Sequence, residues 1–276
     1  MDTGPAPTEA TASSRTDAPG RALRRAAPVV LLHGSRTSRT MWRRQVDALR
    51  AAGVPVRAVD LPGHGARRDE PFTLDAALTT VRDAVRDLAD EAPPGDGRAL
   101  VAGLSLGGYV AVAHRARFPG QSAGLVAAGC CTATTSPLRP AWGMLARWIQ
   151  GWPDHGARLN EAVVRALLTP PGARDLAAGG YALTAMADVL AELAAVDAPR
   201  DLAAADSPVW LVNGRYDHFR TGERAFAAAA RAGGAPTHVV TVPRARHLVS
   251  LDAPVTFSRV LLEAASDPAV LCRTCG

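Results

Sequence analysis

Val101-Ala102-Gly103-Leu104-Ser105-Leu106-Gly107-Gly108-Tyr109 is the stretch from which the rest of the chain is read. It contains Gly-x-Ser-x-Gly, with an apolar run before it (Ala99 to Ala102) and a helix-forming run after it (Tyr109 to Phe118). A buried strand, one sharp turn and a helix are the setting in which such a serine is lifted clear of a sheet as a nucleophile. The turn strains the backbone at Ser105, and strain of that kind persists where function needs it. Gly103 and Gly107 flank the serine because strand and helix pass too closely there for a Cβ. The helix N-terminus behind the hydroxyl, with its unpaired N–H groups and dipole, favours developing negative charge. Gly-x-Ser-x-Gly also arises by chance in Gly- and Ala-rich chains, so a base, an acid and oxyanion donors must be found elsewhere.

Outward from the turn, short continuous apolar runs alternate with amphipathic ones. Pro28 to Leu32 and Val54 to Val59 read as strands, as do Gly124 to Ala128, Pro208 to Val212 and Thr237 to Val242. Unbroken runs of this kind suit strands buried on both faces of a parallel sheet. Helices are expected from Thr40 to Ala52, Leu74 to Glu91, Glu223 to Ala232 and Val255 to Ala265. The second is the clearest: Leu74, Ala77, Leu78, Val81, Val85 and Leu88 fall on one stripe, with Thr73 placed to cap it and Pro93-Pro94-Gly95 to end it. The pattern predicts an α/β fold with a doubly wound, mostly parallel sheet.

The alternation lapses between Thr132 and Ala205, an Ala- and Leu-rich helical region cut by Pro137, Pro140, Pro153 and Pro170-Pro171. Residues 132–205 are therefore expected to form a helical cap on a core of 26–131 and 206–268. A disordered N-terminal tail (1–25) and a C-terminal tail (269–276) complete the division. The cap holds Trp142, Trp148 and Trp152. Core packing is the plain account of three tryptophans, but an insertion covering a sheet edge is expected to turn at least one toward a substrate cavity.

Two further groups fall where a serine nucleophile needs them. In open α/β sheets, ligand chemistry gathers at the carboxyl ends of the strands. The run Pro208–Val212 leads into Asn213-Gly214-Arg215-Tyr216-Asp217, and Thr237–Val242 leads into Pro243-Arg244-Ala245-Arg246-His247. A serine hydroxyl is nearly inert at neutral pH, so His247 is assigned to take its proton. A buried carboxylate at Asp217 would hold the imidazole in the right tautomer and support its transient charge. Alone, Asp217 reads as a loop cap and His247 as a surface histidine; their order and placement after successive strands outweigh that. No carboxylate follows the strand that ends at Gly129-Cys130-Cys131-Thr132, and Asp252 reads as a supporting residue or helix cap. The oxyanion donors are expected to be the N–H groups of Leu106 and Ser35. His33 and His64 are read as organisers of their loops.

The remaining features set bounds. All 31 non-histidine cations are arginine, the net charge is +5, and the sequence pI is about 9.5. These arginines are scattered among acidic residues, which points to solvated helix faces and not to nucleic acid. No apolar run approaches the roughly 20 residues of a membrane span, and the N-terminus has no secretory apolar core. The chain is expected to be cytoplasmic, with no membrane partner. Cys130-Cys131 reads as a pair of small buried side chains. Cys272 and Cys275 lack a second pair for zinc, so no metal or other cofactor is expected.

With His33-Gly34, Asp60-Leu61-Pro62-Gly63-His64-Gly65, Gly103-Leu-Ser-Leu-Gly-Gly108, Gly214-x-x-Asp217 and His247, the chain resembles the α/β-hydrolase superfamily from about Pro28 to Ala265, apart from the insertion. The resemblance implies the helical cap, the Ser105, Asp217, His247 triad and the Ser35/Leu106 oxyanion hole. Two positions depart from the pattern: Arg246 stands where many members have glycine before the histidine, and Ser35 where many have a bulky apolar residue. Ser105 argues against the branches that use an aspartate nucleophile. The expected activity is hydrolysis of a carboxylic ester, thioester or lactone through an acyl-enzyme, on a partly apolar small molecule. The alternatives are C–C bond hydrolysis, cofactor-free perhydrolysis, a lyase or cyclase step, or a ligand receptor without turnover.

Overall fold

The computed structural model describes residues 26–91, 97–133 and 139–271, and it leaves the side chains of residues 139–142 and 146 undescribed. Strand β1 (Val29–Leu32) leads through a single 3-10 turn at Arg39–Trp42 into helix α1 (Arg43–Ala51). Strand β2 (Val56–Val59), helix α2 (Leu74–Glu91), strand β3 (Ala99–Leu104), helix α3 (Leu106–Arg117) and strand β4 (Ser122–Ala128) follow. Five helices then come in succession: α4 (Arg139–Gln150), α5 (Ala157–Leu167), α6 (Pro170–Ala177), α7 (Met186–Glu192) and α8 (Ala198–Ala203). The alternation resumes with β5 (Val209–Gly214), α9 (Glu223–Ala232), β6 (Thr237–Val242), α10 (Val249–Asp252), α11 (Pro254–Ala265) and α12 (Pro268–Leu271).

The six strands form one sheet in the order β2-β1-β3-β4-β5-β6, and each neighbouring pair is parallel. Every residue of β1, β3, β4 and β5 is buried, whereas the edge strands β2 and β6 are only partly covered. The apolar runs are continuous because both faces of the central strands are packed. Along β1, Val30 and Leu32 join the core under α2, α3 and α9, while Val29 and Leu31 join the core under α1 and α11. Burial at roughly 25 cal/mol per Å² of apolar surface makes these two layers the main stabilising term. The expected cap of α2 is present: Thr73 Oγ1 accepts from the N–H of Ala76 at 3.2 Å. Pro93-Pro94-Gly95 lies outside the described residues.

The expected helix from Thr40 is tighter than α over its first turn, where Ser38 caps it and Met41 and Trp42 are driven into the core. Between β4 and β5 the chain is helical in all described elements. This insertion rests on the sheet assembly partly through apolar residues, with Val189 in one core layer and Val164 and Leu176 in the other. Polar tethers do the rest. Thr40 Oγ1 donates to Asp175 O at 2.8 Å, Arg44 Nε to Asp175 Oδ2 at 3.1 Å, and the N–H of Leu74 to Glu192 Oε2 at 2.8 Å. No helix among the described residues is long and apolar enough to cross a membrane.

Candidate active site

The carboxyl ends of β3, β4, β5 and β6 lie side by side, so the loops that leave them share one rim. At the end of β3, Ser105 has φ 54° and ψ −114°, a left-handed conformation that a side chain rarely adopts. The neighbouring glycines explain how the turn fits. A Cβ on Gly103 would stand 2.0 Å from Gly107 O, and one on Gly107 would stand 2.3 Å from Leu32 O. The N–H of Ser105 donates to Ala128 O at 2.8 Å and that of Gly107 to His33 O at 3.1 Å, which binds the elbow to β4 and to the end of β1.

These contacts also bring the two expected oxyanion donors to the same corner. A Cβ on Gly34 would lie 3.7 Å from Ser105 Cβ, so the loop carrying Ser35 runs beside the elbow. Leu106 is the first residue of α3, where helix geometry leaves an N–H without an internal partner. Among the described residues, the N–H groups of Ser35 and Leu106 have no hydrogen-bond acceptor. The Ser35 hydroxyl approaches Met186 Sδ of the insertion at 3.8 Å. His33 fixes the loop from below: its Nε2 accepts from the N–H of Leu61 at 3.0 Å, which leaves Nδ1–H to donate to Gly34 O at 2.8 Å. Burial, with the nearby His64, lowers the pKa of His33 to about 3, so the ring is neutral and the tautomer set. His64 does similar work, its Nδ1 lying 2.8 Å from Pro62 O.

Beyond β5 and β6, His247 Nδ1–H donates to Asp217 Oδ1 at 3.1 Å. The Asp217 side chain is fully buried, and that of His247 is 22% exposed. Burial pushes the Asp217 carboxyl up. The hydrogen bond and charge of His247, with the N–H of Phe219 donating at 2.8 Å, outweigh it and hold the carboxyl below its ordinary value. Asp217 is thus an ionised acceptor that orients an imidazole, and it also caps the turn His218–Arg220. Arg246 is pinned in turn, its N–H donating to Asp252 Oδ2 at 2.7 Å and its guanidinium to Leu167 O at 2.5 Å, so Asp252 has the supporting place expected of it.

Gly129, at the end of β4, lies between the two halves. With φ at +58°, a Cβ there would stand 3.2 Å from both Asp217 Oδ2 and His247 Nδ1. The residue before it, Ala128, holds the N–H of Ser105. The serine elbow and the Asp217–His247 pair are therefore next-door neighbours across one glycine. Among the described residues no hydrogen bond joins the Ser105 hydroxyl to His247. Such contacts are commonly long without substrate and tighten when it binds.

Sequence reasoning did not single out Gly129, Phe219 or His218. The ring centroids of Phe219 and His218 lie 4.7 Å and 5.4 Å from that of His247. Proximity of the last two to Asp217 in the chain was the available signal. Of the three tryptophans, Trp148 is 63% exposed and meets Trp152 edge-on at 5.1 Å. The side chain of Trp142 lies outside the described residues. Cys130 and Cys131 are buried free thiols, as expected, and Cys272 and Cys275 lie outside the description. Among the described residues no group of His, Cys, Asp and Glu could hold a metal ion.

Known proteins share this arrangement of the chain. A family model described as the alpha/beta hydrolase family matches residues 29–260. The pimeloyl-[acyl-carrier protein] methyl ester esterase of Neisseria meningitidis serogroup C is 32% identical over 208 residues, which cover 68% of this chain and 75% of that protein. A probable esterase of Oryza sativa subsp. indica is 36% identical over 105 residues, covering 37% of this chain and 38% of its own. Among solved structures, a hydrolase from Pseudomonas aeruginosa superposes with a TM-score of 0.70 at 22% identity, covering 87% of this chain and 89% of that one. The enol-lactonase from Burkholderia xenovorans LB400 gives 0.65 at 22% identity, covering 86% and 91%. Those two likenesses speak to the fold. The family match runs from the first strand of the sheet into α11: the chain belongs to the alpha/beta hydrolase family.

Proposed function

We propose that this chain hydrolyses a carboxylic ester, thioester or lactone through an acyl-enzyme on Ser105. The observation that carries the reading is the buried Asp217 carboxylate on His247 Nδ1, beside a serine in the elbow conformation. With Nδ1–H held by Asp217, the other ring nitrogen is free to accept a proton. His247 takes that proton from Ser105 as the oxygen attacks the acyl carbon, and the N–H groups of Leu106 and Ser35 receive the oxyanion. His247 then gives the proton to the departing alcohol or thiol. Water, deprotonated by the same imidazole, attacks the acyl-enzyme, and collapse of the second oxyanion returns Ser105 and releases the acid. Donors placed in this way contribute about 3–4 kcal/mol each to such a step. Relatives named as esterases support ester hydrolysis as the coarse activity.

The test is turnover of short-chain p-nitrophenyl esters by the wild type and by Ser105→Ala, with fluorophosphonate labelling alongside. The wild type should turn over and label, and the variant should lose at least about 10⁴-fold in kcat and all labelling. Unchanged turnover in Ser105→Ala removes the serine from the mechanism. A wild type that neither turns over nor labels is a receptor that binds without chemistry.

A further inference from the structure

The oxyanion loop continues past Ser35 into Arg36-Thr37-Ser38-Arg39-Thr40, and this segment forms one side of a seam whose other side is residues 178–182 of the insertion. The two sides are in direct contact. The N–H of Ala182 donates to Arg36 O at 3.3 Å, and a Cβ on Gly179 would fall 1.9 Å from Ser38 Oγ. A cavity of about 320 Å³ opens in the seam, lined by Ser38, Arg39, Thr40, Asp60, Arg68 and the backbone of residues 178–180.

The charge of this seam is not balanced from within. Asp60 is its one acidic lining residue, and its oxygens are engaged by the N–H of Arg39 at 2.7 Å and of Ala66 at 3.0 Å. The guanidinium of Arg39 approaches that carboxylate through Nε at 3.7 Å, beyond hydrogen-bond distance. Arg68 has no acidic partner among the described residues. Its Nε donates to Gly65 O at 3.0 Å and one terminal nitrogen to Gly179 O at 3.4 Å. Arg68 is thus held through Nε and one terminal nitrogen, and the guanidinium of Arg39 makes no hydrogen bond among the described residues, so both keep N–H groups for a further acceptor. Arg36, one residue from the oxyanion donor, has neither a hydrogen bond nor an ion pair through its side chain among the described residues. Arg36 is exposed, and the protein beside it lowers its pKa by desolvation. Arg36 also holds φ at 60°, a strained value for a side-chain-bearing residue. Planar guanidinium groups with free N–H edges are suited to paired hydrogen bonds with carboxylate or phosphate.

We propose that this seam binds an anionic group of the substrate, a carboxylate or a phosphate, through Arg39 and Arg68, with Arg36 along the path from Ser105. The substrate class is then an ester whose far end is negatively charged. Three residues lie between Ser35 and Arg39, so the two are at most about 14 Å apart along the loop, which bounds the length of the substrate between its scissile carbonyl and its charged end. The inference rests on the ester reading above.

The experiment compares kcat/KM for a methyl half-ester of a linear dicarboxylic acid, a matching ester ending in phosphate, and the neutral dimethyl diester. The wild type should favour at least one anionic ester over the neutral one by about tenfold or more. Arg68→Gln and Arg36→Gln, both at solvent-contacting positions with unchanged melting temperatures, should each cut that ratio at least about threefold. No charge preference in the wild type, or a preference that survives both substitutions, overturns the proposal. If the wild type hydrolyses none of the three, the ester reading fails on its own. Calorimetric binding of the half-ester to Ser105→Ala still decides the seam: weaker binding in Ser105→Ala with Arg68→Gln supports it, and equal or absent binding overturns it.

Discussion

The sheet and the insertion are built on different physical terms. In β1, β3, β4 and β5 every side chain is buried, and the strands could not part without exposing two apolar layers at once. The insertion keeps Met144, Trp148, Leu159 and Val163 between 42% and 63% exposed. It is fastened by a smaller set of buried apolar side chains, Val164, Leu168, Leu176 and Val189 among them, and by polar tethers at partly exposed positions: Asp175 to Arg44, Glu192 to Leu74 and Leu167 to Arg246. A polar contact of this sort is worth about 1 kcal/mol or less, against ~1.5–3 kcal/mol for each large apolar side chain in the sheet layers. The Ser105 turn and the Asp217–His247 pair stand on the sheet half, and the insertion meets the loop beside them where Met186 Sδ lies 3.8 Å from Ser35 Oγ.

The largest effect should come where reacting groups meet the sheet. Asp217→Asn keeps the shape of the carboxylate but removes the charge that fixes the His247 tautomer. On the proposed mechanism kcat falls by about 10³–10⁴, or about 4–5.5 kcal/mol, with little change in KM. Steady-state kinetics on a p-nitrophenyl ester checks it, and a loss below tenfold would detach Asp217 from catalysis. The same substitution alters acid stability in a defined direction. The folded-state pKa of Asp217 is depressed, so its stabilising contribution is present above the unfolded value near 3.9 and is lost as pH falls through the folded value. Acid unfolding of Asp217→Asn should lack that part of the pH dependence.

Next in size is a core substitution outside the chemistry. Gly103→Ala sets a Cβ 2.0 Å from Gly107 O and 2.2 Å from Gly107 C, both main-chain atoms that cannot swing aside. Strand β3 and helix α3 must separate, at a cost of about 3 kcal/mol or more. A fall of roughly 6–12 °C in melting temperature is expected for a domain of this size. A melting temperature within 2 °C of wild type would mean that the elbow is not under the packing described.

How much of this could be read in the sequence follows the same division. Helix α2 at Leu74–Glu91 and helix α9 at Glu223–Ala232 fall where periodicity put them, because one buried apolar stripe fixes each; strand β6 at Thr237–Val242 does so too, although only Val242 of its residues is buried. The order Ser105, Asp217, His247 singled out three positions, and Asp217 and His247, on the loops after the neighbouring parallel strands β5 and β6, are in contact. What was hidden depends on pairing between distant segments. The place of β4 between β3 and β5 makes Gly129 the floor under His247, yet nothing near residue 129 in the chain signals it. The direction of Trp148 was hidden for another reason: helix periodicity gives a stripe, and a helix in an insertion offers its stripe to solvent as readily as to a pocket. The charged seam escaped notice because scattered arginines become neighbours only once Arg68 and the segment 178–180 fold against the oxyanion loop.

Gly129 tests whether the two halves of the site act as one. Gly129→Ala must hold φ near +58° at a cost of about 1–2 kcal/mol, and its methyl group would press on Asp217 Oδ2 and His247 Nδ1 at 3.2 Å. An imidazole displaced by several tenths of an ångström is expected to cost roughly 10–100-fold in kcat, while the far-ultraviolet spectrum stays that of the wild type. A variant as active as wild type would show that the ring has room to spare.

The smallest effect should come from a tether of the insertion. Asp175→Ala removes the 3.1 Å bond to Arg44 Nε and the 4.0 Å approach of Arg43, at a carboxylate whose side chain is 17% exposed. The hydrogen bond from Thr40 Oγ1 to Asp175 O is unaffected, because that acceptor is main chain. About 0.5–1 kcal/mol is at stake, too little to shift the overall melting temperature by more than about 2–4 °C. The loss should be local: faster amide exchange in α6, by about threefold, with protection in β3 and β4 unchanged. Equal acceleration in the sheet would mean that insertion and core open together, and the contrast between them would then be one of appearance and not of energy.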